Sequence, residues 1–376
     1  MGDLSEPARG TDSKSARSST RQWTVGLRLI GVLCAALGVA LVLNAAVCLL
    51  PENDYQRWQL QDVMDGRLRW IYERIHFDPK PINVAILGAS RAELGLSAAA
   101  IEKRLATLGK NVNVVNFALP GSGRDIQWTV LEELLKAKSP KVVVIEVDDQ
   151  PYPFGHFMFK DIAPAEAISF PPTPFLHNYL YNITHLPIRK LTLFGANLFP
   201  DMFGLPKTFD SEHYAQTRTD YTTSFTYLGK MIDMERRVPR ERLLAQARDQ
   251  FPHTFVARAL TRINGGEDHL YMRKIADAAK AHGTQLVFVF IPAFNGAQTI
   301  SDLDFLKQFG PVLNYGDLAQ RDDLYENWSH LNHAGALTVS ARLADAIAGL
   351  KLSSLNENPS IAGQDLSTPN QEARTR

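Results

Sequence analysis

Along the chain, apolar positions fall into three rhythms. The first is unbroken: Val25 to Leu50 is interrupted only by Arg28 and Asn44, a run long enough to cross a bilayer as a helix. The second spans Asp54 to Ile75, where Leu60, Val63, Met64, Leu68, Ile71 and Ile75 recur mostly at three- and four-residue steps, as one face of a helix requires. The third begins at Ile82. Short apolar runs at Ile82–Ala89, Val112–Leu119, Lys141–Val147 and Gln285–Ile291 alternate with amphipathic stretches headed by Ser97, by Arg124 and near Asp268, and a last helix opens near His333.

Strands without polar alternation, separated by amphipathic helices, predict a parallel sheet covered on both faces. The stretch 150–265 breaks the rhythm with proline and aromatic clusters such as Phe170-Pro171-Pro172-Thr173-Pro174-Phe175 and lacks clear strands. Such an insertion serves as a lid, as one wall of a binding cleft, or as structural elaboration. The chain thus divides into an expected disordered tail (1–23), an apolar span (24–50), a stalk helix or linker that either packs on the body or binds a partner (51–81), an α/β domain (82–350) and a second expected disordered tail (351–376).

The 376 residues suffice for one large domain with appendages, and 40 basic residues balance 40 acidic ones. That balance supplies no basic field for nucleic acid. Arg9, Lys14, Arg17, Arg21 and Arg28 precede or open the apolar span, which predicts an amino terminus in the cytoplasm and an exported body. A cleaved signal peptide has an apolar region of about 7–15 residues, so the longer run predicts a single-pass anchor in the inner membrane with the body in the periplasm. Both cysteines, Cys34 and Cys48, lie in that span, leaving the body without a disulfide framework or cysteine metal site. Val47 stands where a lipid-attachment site at Cys48 would need a small residue. His156, His177, His185 and His213 lack metal-ligand spacing, and Gly121-Ser122-Gly123 lacks the lysine and hydroxyl residue of a phosphate loop. Neither a metal nor a cofactor is expected.

Ligand crevices of open parallel sheets lie beyond the carboxyl ends of the strands. Ser90, the turn Pro120-Gly121-Ser122-Gly123 and the pair Asp148-Asp149 each follow such an end, and His330 precedes the last helix. A serine hydroxyl becomes a useful nucleophile near neutral pH when a positioned base takes its proton, so Ser90 and His330 read as nucleophile and base. His333 is the nearest competitor for the base.

At these residues the chain resembles the SGNH, or GDSL-like, hydrolases. Gly88-Ala89-Ser90-Arg91 matches the nucleophile block, Asn116-Phe117-Ala118-Leu119-Pro120-Gly121 the glycine block, and Ser329-His330-Leu331-Asn332 with Gly335 the histidine block. The resemblance covers roughly 82–350, with the insertion unmatched. It implies a three-layer, flavodoxin-like α/β sandwich around a central parallel sheet, and an oxyanion formed on ester attack held by backbone N–H groups at Ser90 and Gly121. Asn116, Asn295 and Arg91 are further candidates for oxyanion or substrate binding. With the anchor, the chain looks most like the branch that modifies extracytoplasmic polymers, as in alginate O-acetylation and teichoic acid D-alanylation. An acylated cell-surface carbohydrate as substrate, and a membrane-bound O-acyltransferase as partner, follow from that likeness.

Two positions depart from the family pattern. Aspartate usually stands three residues before the histidine, where this chain has Asn327; an amide oxygen can orient an imidazole but cannot offset its charge. Glu326, or Asp322 and Asp323, are the carboxylates close enough in sequence to restore it. The third block, Glu146-Val147-Asp148-Asp149-Gln150, has aspartate where an asparagine donor is usual, and an ionised carboxylate only accepts hydrogen bonds. Asp148 or Asp149 is expected to pair with Arg91 or Arg124, leaving Gln150 or Asn295 as the amide donor. These departures keep open a rival in which the body is a catalytically weak carbohydrate-binding or assembly subunit.

Overall fold

The computed structural model describes residues 12–60, 66–152, 154–171, 178–215, 220–227, 230–248 and 255–350. Seven strands occur among them: β1 (Val84–Leu87), β2 (Val114–Asn116), β3 (Val142–Val147), β4 (Ser224–Tyr227), β5 (Lys230–Asp233), β6 (Gln285–Phe290) and β7 (Val312–Asn314). Five form one sheet in the order β2-β1-β3-β6-β7, and every pairing in it is parallel.

The period-two geometry of a strand explains why these runs are apolar throughout. Ala85, Leu87, Val143, Ile145, Phe288 and Phe290 face one layer, built from Arg67–His76, Arg124–Ala137 and Phe255–Ala281. Val84, Ile86, Val142, Val144, Val287 and Val289 face the other, where Ala98–Thr107 and His333–Ala348 supply Ile101, Leu105, Val339, Leu343 and Ile347. The result is a parallel sheet between two helical layers. Ser97 caps its helix by accepting a hydrogen bond from the Ala100 N–H at 3.1 Å.

Three parts differ from the sequence-based expectation. The run from Asp54 to Ile75 is not one stalk helix: Asp54–Arg57 and Arg67–His76 are separate, and Leu68, Ile71 and Ile75 are buried in the sheet's own core. Of the two alternatives for that segment, the structure has it packed on the body. The insertion is not strandless, since β4 and β5 form an antiparallel hairpin, and the helix placed near Asp268 begins at Phe255, inside the expected insertion. β7 was not anticipated because Val-Leu-Asn is too short to register a period. Of the tail expected over 1–23, residues 1–11 lie outside the described residues and 12–23 belong to a helix; the tail 351–376 lies outside the described residues.

At the amino-terminal end, Asp12–Cys48 is helical. Its segment Ile30–Cys48 has a mean hydropathy of 2.4, is not buried by the rest of the protein, and is long and apolar enough to cross a membrane.

Candidate active site

β1 is where the strand order reverses direction, with β2 on one side and β3 on the other, and the region beyond its carboxyl end is where open parallel sheets bind their ligands. Ser90 lies there, as the first residue of the short helix Ser90–Gly95 after Ala89 in extended conformation. The turn is tight: a Cβ on Gly88 would come within 2.6 Å of Ala92 Cβ and 2.7 Å of Glu146 Cβ. Glycine is therefore required for the helix to start so close to β3.

His330 reaches Ser90 across 240 residues of sequence, its Nε2 lying 2.9 Å from Ser90 Oγ. Its loop is fastened at several points. Tyr325 bridges to Leu331, the Tyr325 hydroxyl donates to the Pro292 carbonyl at 2.9 Å, and the Phe294 N–H donates to the Trp328 carbonyl at 2.7 Å. Asn332 caps the last helix by accepting from the Gly335 N–H at 3.0 Å.

Asn327 stands behind the imidazole. Its Oδ1 lies 3.1 Å from His330 Nδ1 and also accepts the backbone N–H groups of Ser329 and His330, at 2.9 and 3.0 Å. Its Nδ2 donates to Glu326 Oε2 at 2.7 Å. This last bond fixes the amide's orientation, because a carboxylate can only accept and so turns the oxygen of Asn327 toward the histidine. The histidine then carries its proton on Nδ1 and leaves Nε2 as an acceptor for the serine hydroxyl. Of the three carboxylates considered from sequence, Glu326 is the one that joins the chain. Asp322 pairs with Arg240 and Asp323 with Arg321.

Burial, helped by the charge of Arg91, lowers the His330 pKa to about 4, so the ring is neutral at physiological pH, as a general base requires. Arg91 is itself bound to Asp148 Oδ1 at 3.1 Å, one of the pairings expected for the acidic third block. Arg124 instead engages Asp268, Gln127 and the Glu146 carbonyl.

Gly121 follows β2 in a turn held against the nucleophile, since the Leu119 N–H donates to the Gly88 carbonyl at 3.1 Å. It has φ of +99°, and a Cβ there would lie 2.9 Å from His156 Nε2. Among the described residues the backbone N–H groups of Ser90 and Gly121 donate to no other group.

The other candidates are engaged elsewhere. Asn116 gives its amide to the carbonyls of Ala92 and Leu96, at 3.0 and 2.9 Å, tying the serine's helix to β2, so it is a brace for that helix and not an oxyanion donor. Asn295 is exposed with φ of 56°, its N–H on the Ala319 carbonyl and its Oδ1 accepting from Gln320, without a hydrogen bond to the pair. Gln150 is exposed. His333 sits on the hairpin region, with its N–H on the Met234 carbonyl and Nδ1 near Thr222.

Two further residues brace the site. His156 is buried, with Nε2 3.0 Å from the Pro120 carbonyl and Nδ1 accepting from Met158; burial lowers its pKa to about 4. It supports the glycine turn from below. Glu146 is 2% exposed and accepts the Ala89 N–H at 2.7 Å, while its Oε1 has no partner. Burial, together with the charge of Asp148, pushes its carboxyl up to about 7. His156 has the satisfied structural role that its lack of metal-ligand spacing suggested; the bracing role of Glu146, first residue of the third block, was marked in the sequence only as a lone glutamate in an apolar strand. His185 and His213 pair with Asp161 and Asp210, and His177 lies outside the described residues. Among the described residues no group of His, Cys, Asp and Glu is arranged to hold a metal ion.

No protein-family model matches the chain, and no curated protein matches it either.

Proposed function

We propose that the protein is a membrane-anchored serine esterase or O-acyltransferase of SGNH type, with a flavodoxin-like sheet and a body outside the cytoplasmic membrane. The observation that carries this reading is the continuous hydrogen-bond chain from Ser90 through His330 and Asn327 to Glu326. In the proposed reaction Ser90 Oγ attacks the ester carbonyl, its proton passes to His330 Nε2, and the backbone N–H groups of Ser90 and Gly121 meet the oxyanion. His330 then protonates the leaving alkoxide. The acyl-serine is released when water, or a hydroxyl of an acceptor sugar, attacks with His330 again as base.

The substrate class we favour is an acylated cell-surface carbohydrate, with a membrane-bound O-acyltransferase as the partner that supplies acyl groups. The family resemblance and the apolar span support this; neither a metal nor another cofactor enters the reaction as written. A second reading, a carbohydrate-binding or assembly subunit with little activity, is favoured by Asn327 and by Asp148 where an amide donor would help. Incubating the full chain with p-nitrophenyl acetate and an O-acetylated oligosaccharide separates the two. We expect an acetyl group on Ser90 by peptide mass spectrometry, with deacetylation of the sugar. A folded protein that binds the sugar and never acquires the adduct supports the subunit instead.

A further inference from the structure

The helix Tyr179–Leu198 carries an unusual outer face for a protein surface in water. Its two charged residues, Arg189 and Lys190, face inward with the buried Leu186 and Leu193, while four further large aliphatic residues face outward. Leu180 is 75% exposed, Ile188 60%, Leu191 52% and Leu198 55%. At about 100° per residue, these four fall within an arc of roughly 80°. In the turn that follows, Phe199 and Met202 are 59% and 74% exposed, beside the exposed Asp201. An uncharged stripe of four exposed large aliphatic residues, interrupted by Thr184, is rarely left to water by a soluble protein and marks a contact surface.

Where this helix sits decides what the surface contacts. Its buried side is fastened to the residues that immediately follow the apolar span. Cys48 packs with Ile183 around Leu186, Lys190 Nζ donates to the Leu50 carbonyl at 2.9 Å, Arg189 forms a two-pronged pair with Glu52 at 3.0 and 3.2 Å, and Gln56 Nε2 donates to the Ala196 carbonyl at 3.1 Å. A chain advances at most about 3.6 Å per residue. Leu50 and Glu52 therefore lie within about 7 and 14 Å of Cys48, where the span ends. The helix is held against the mouth of the anchor with its apolar stripe on the side away from the body.

We infer that the helix Tyr179–Leu198 lies in the membrane interface, with its Leu180–Ile188–Leu191–Leu198 stripe in the lipid, as a second foot beside the transmembrane anchor. The occupant is the acyl and headgroup boundary of the bilayer, into which interfacial helices sink by about 5–10 Å. The inward Arg189 and Lys190 fit this placement, since their charges are satisfied by Glu52 and backbone carbonyls before the helix meets lipid. The foot also reaches the proposed active site. Asn178, next to its start, donates to the Gly155 carbonyl at 2.8 Å, and the following His156 bonds to the Pro120 carbonyl of the glycine turn. The inference rests on the anchor proposed above, but not on the esterase chemistry.

The test uses the full chain with Cys34→Ala and Cys48→Ala, single new cysteines labelled with an environment-sensitive fluorophore, and reconstitution into phosphatidylcholine/phosphatidylglycerol vesicles. The vesicles contain lipids spin-labelled either near the headgroup or near the tail end. Ile188→Cys and Leu191→Cys probe the stripe, with Leu180→Cys and Leu198→Cys as a second pair if either destabilises the fold. Leu37→Cys reports the anchor, and Lys103→Cys, on an exposed helix of the body, reports water. We expect stripe probes quenched several-fold more than the probe at position 103, most strongly by the headgroup-proximal label, and the probe at position 37 quenched by the deep label. Stripe probes as unquenched as the one at 103, with the one at 37 quenched, overturn the interfacial helix and leave the anchor standing. An unquenched probe at 37 overturns the anchor and the foot with it. Stripe probes that stay aqueous in pure lipid, and become shielded only in native membranes, assign the face to a protein partner and overturn the lipid contact.

Discussion

In the proposed reaction, proton transfer runs on one side through side chains, from Ser90 through His330 and Asn327 to Glu326, whereas on the other a developing oxyanion would meet backbone N–H groups at Ser90 and Gly121, with acids on the neighbouring strand end. On the first side each member fixes the next: Glu326 sets the amide of Asn327, the amide sets the tautomer of His330, and the ring meets the hydroxyl. On the second side Glu146 and Asp148 would repel an oxyanion if both were ionised. Arg91 covers Asp148, and burial holds Glu146 partly protonated near neutral pH. Under the proposed reaction, proton transfer would depend on side-chain identity and charge stabilisation on backbone geometry. The two sides should therefore fail in different ways.

Removing the base should have the largest effect among the variants that keep the nucleophile. His330→Ala is expected to lower ester turnover by about 10²–10⁴, the usual worth of a positioned general base; steady-state rates on p-nitrophenyl acetate measure it, and a loss below tenfold would break the pairing. On the opposite side, Gly121→Ala should cost about 10²–10³, the value of one oxyanion donor. Its φ of +99° and the 2.9 Å approach to His156 Nε2 force the turn to move. The loss should be mainly in kcat, and a change confined to KM would remove Gly121 from the oxyanion role.

Asn327→Asp should act through charge. The wild-type rate should rise with pH as His330 loses its proton, with an acid limb near the lowered value of about 4. A carboxylate in place of the amide stabilises the imidazolium, so the limb should move up toward the ordinary histidine range and the rate should rise several-fold, restrained by repulsion from Glu326. An unchanged pH–rate profile means another residue orients His330.

Glu146→Gln should show the smallest effect on rate and a clear one on stability. A carboxyl whose folded pKa is raised from its usual range to about 7 contributes stability at low pH that is lost as pH rises through 7. The glutamine variant lacks that loss, so its melting temperature should match wild type near pH 5 and exceed it at pH 8. Equal shifts at both pH values would show that Glu146 is not protonated in the folded state.

Much of this comparison was legible in the sequence where local chemistry is strong. The apolar runs of β1, β3 and β6 marked the parallel sheet because both faces of each strand are buried, and Ser90 and His330 were marked by their place after a strand and before a helix. Over 51–81 the sequence left packing on the body and partner binding open, because a helical face looks the same whether it meets a partner or its own sheet; the structure has the first, with two helices where one was expected. Asn116 was expected in the binding site, but its amide is spent on Ala92 and Leu96, a use visible only once helix and strand are side by side. Glu146 and His156 belong to long-range packing: one braces the Ala89 N–H from β3, the other supports Pro120 from within the insertion.

The central claim is that His330 activates Ser90 as a nucleophile, and covalent labelling of the full chain with a fluorophosphonate probe tests it most directly. We expect stoichiometric labelling of the wild type, none in Ser90→Ala, and strongly slowed labelling in His330→Ala, with all three proteins sharing the same circular dichroism spectrum. A folded wild type that takes up no probe, or a Ser90→Ala variant labelled as fast as wild type, would contradict it.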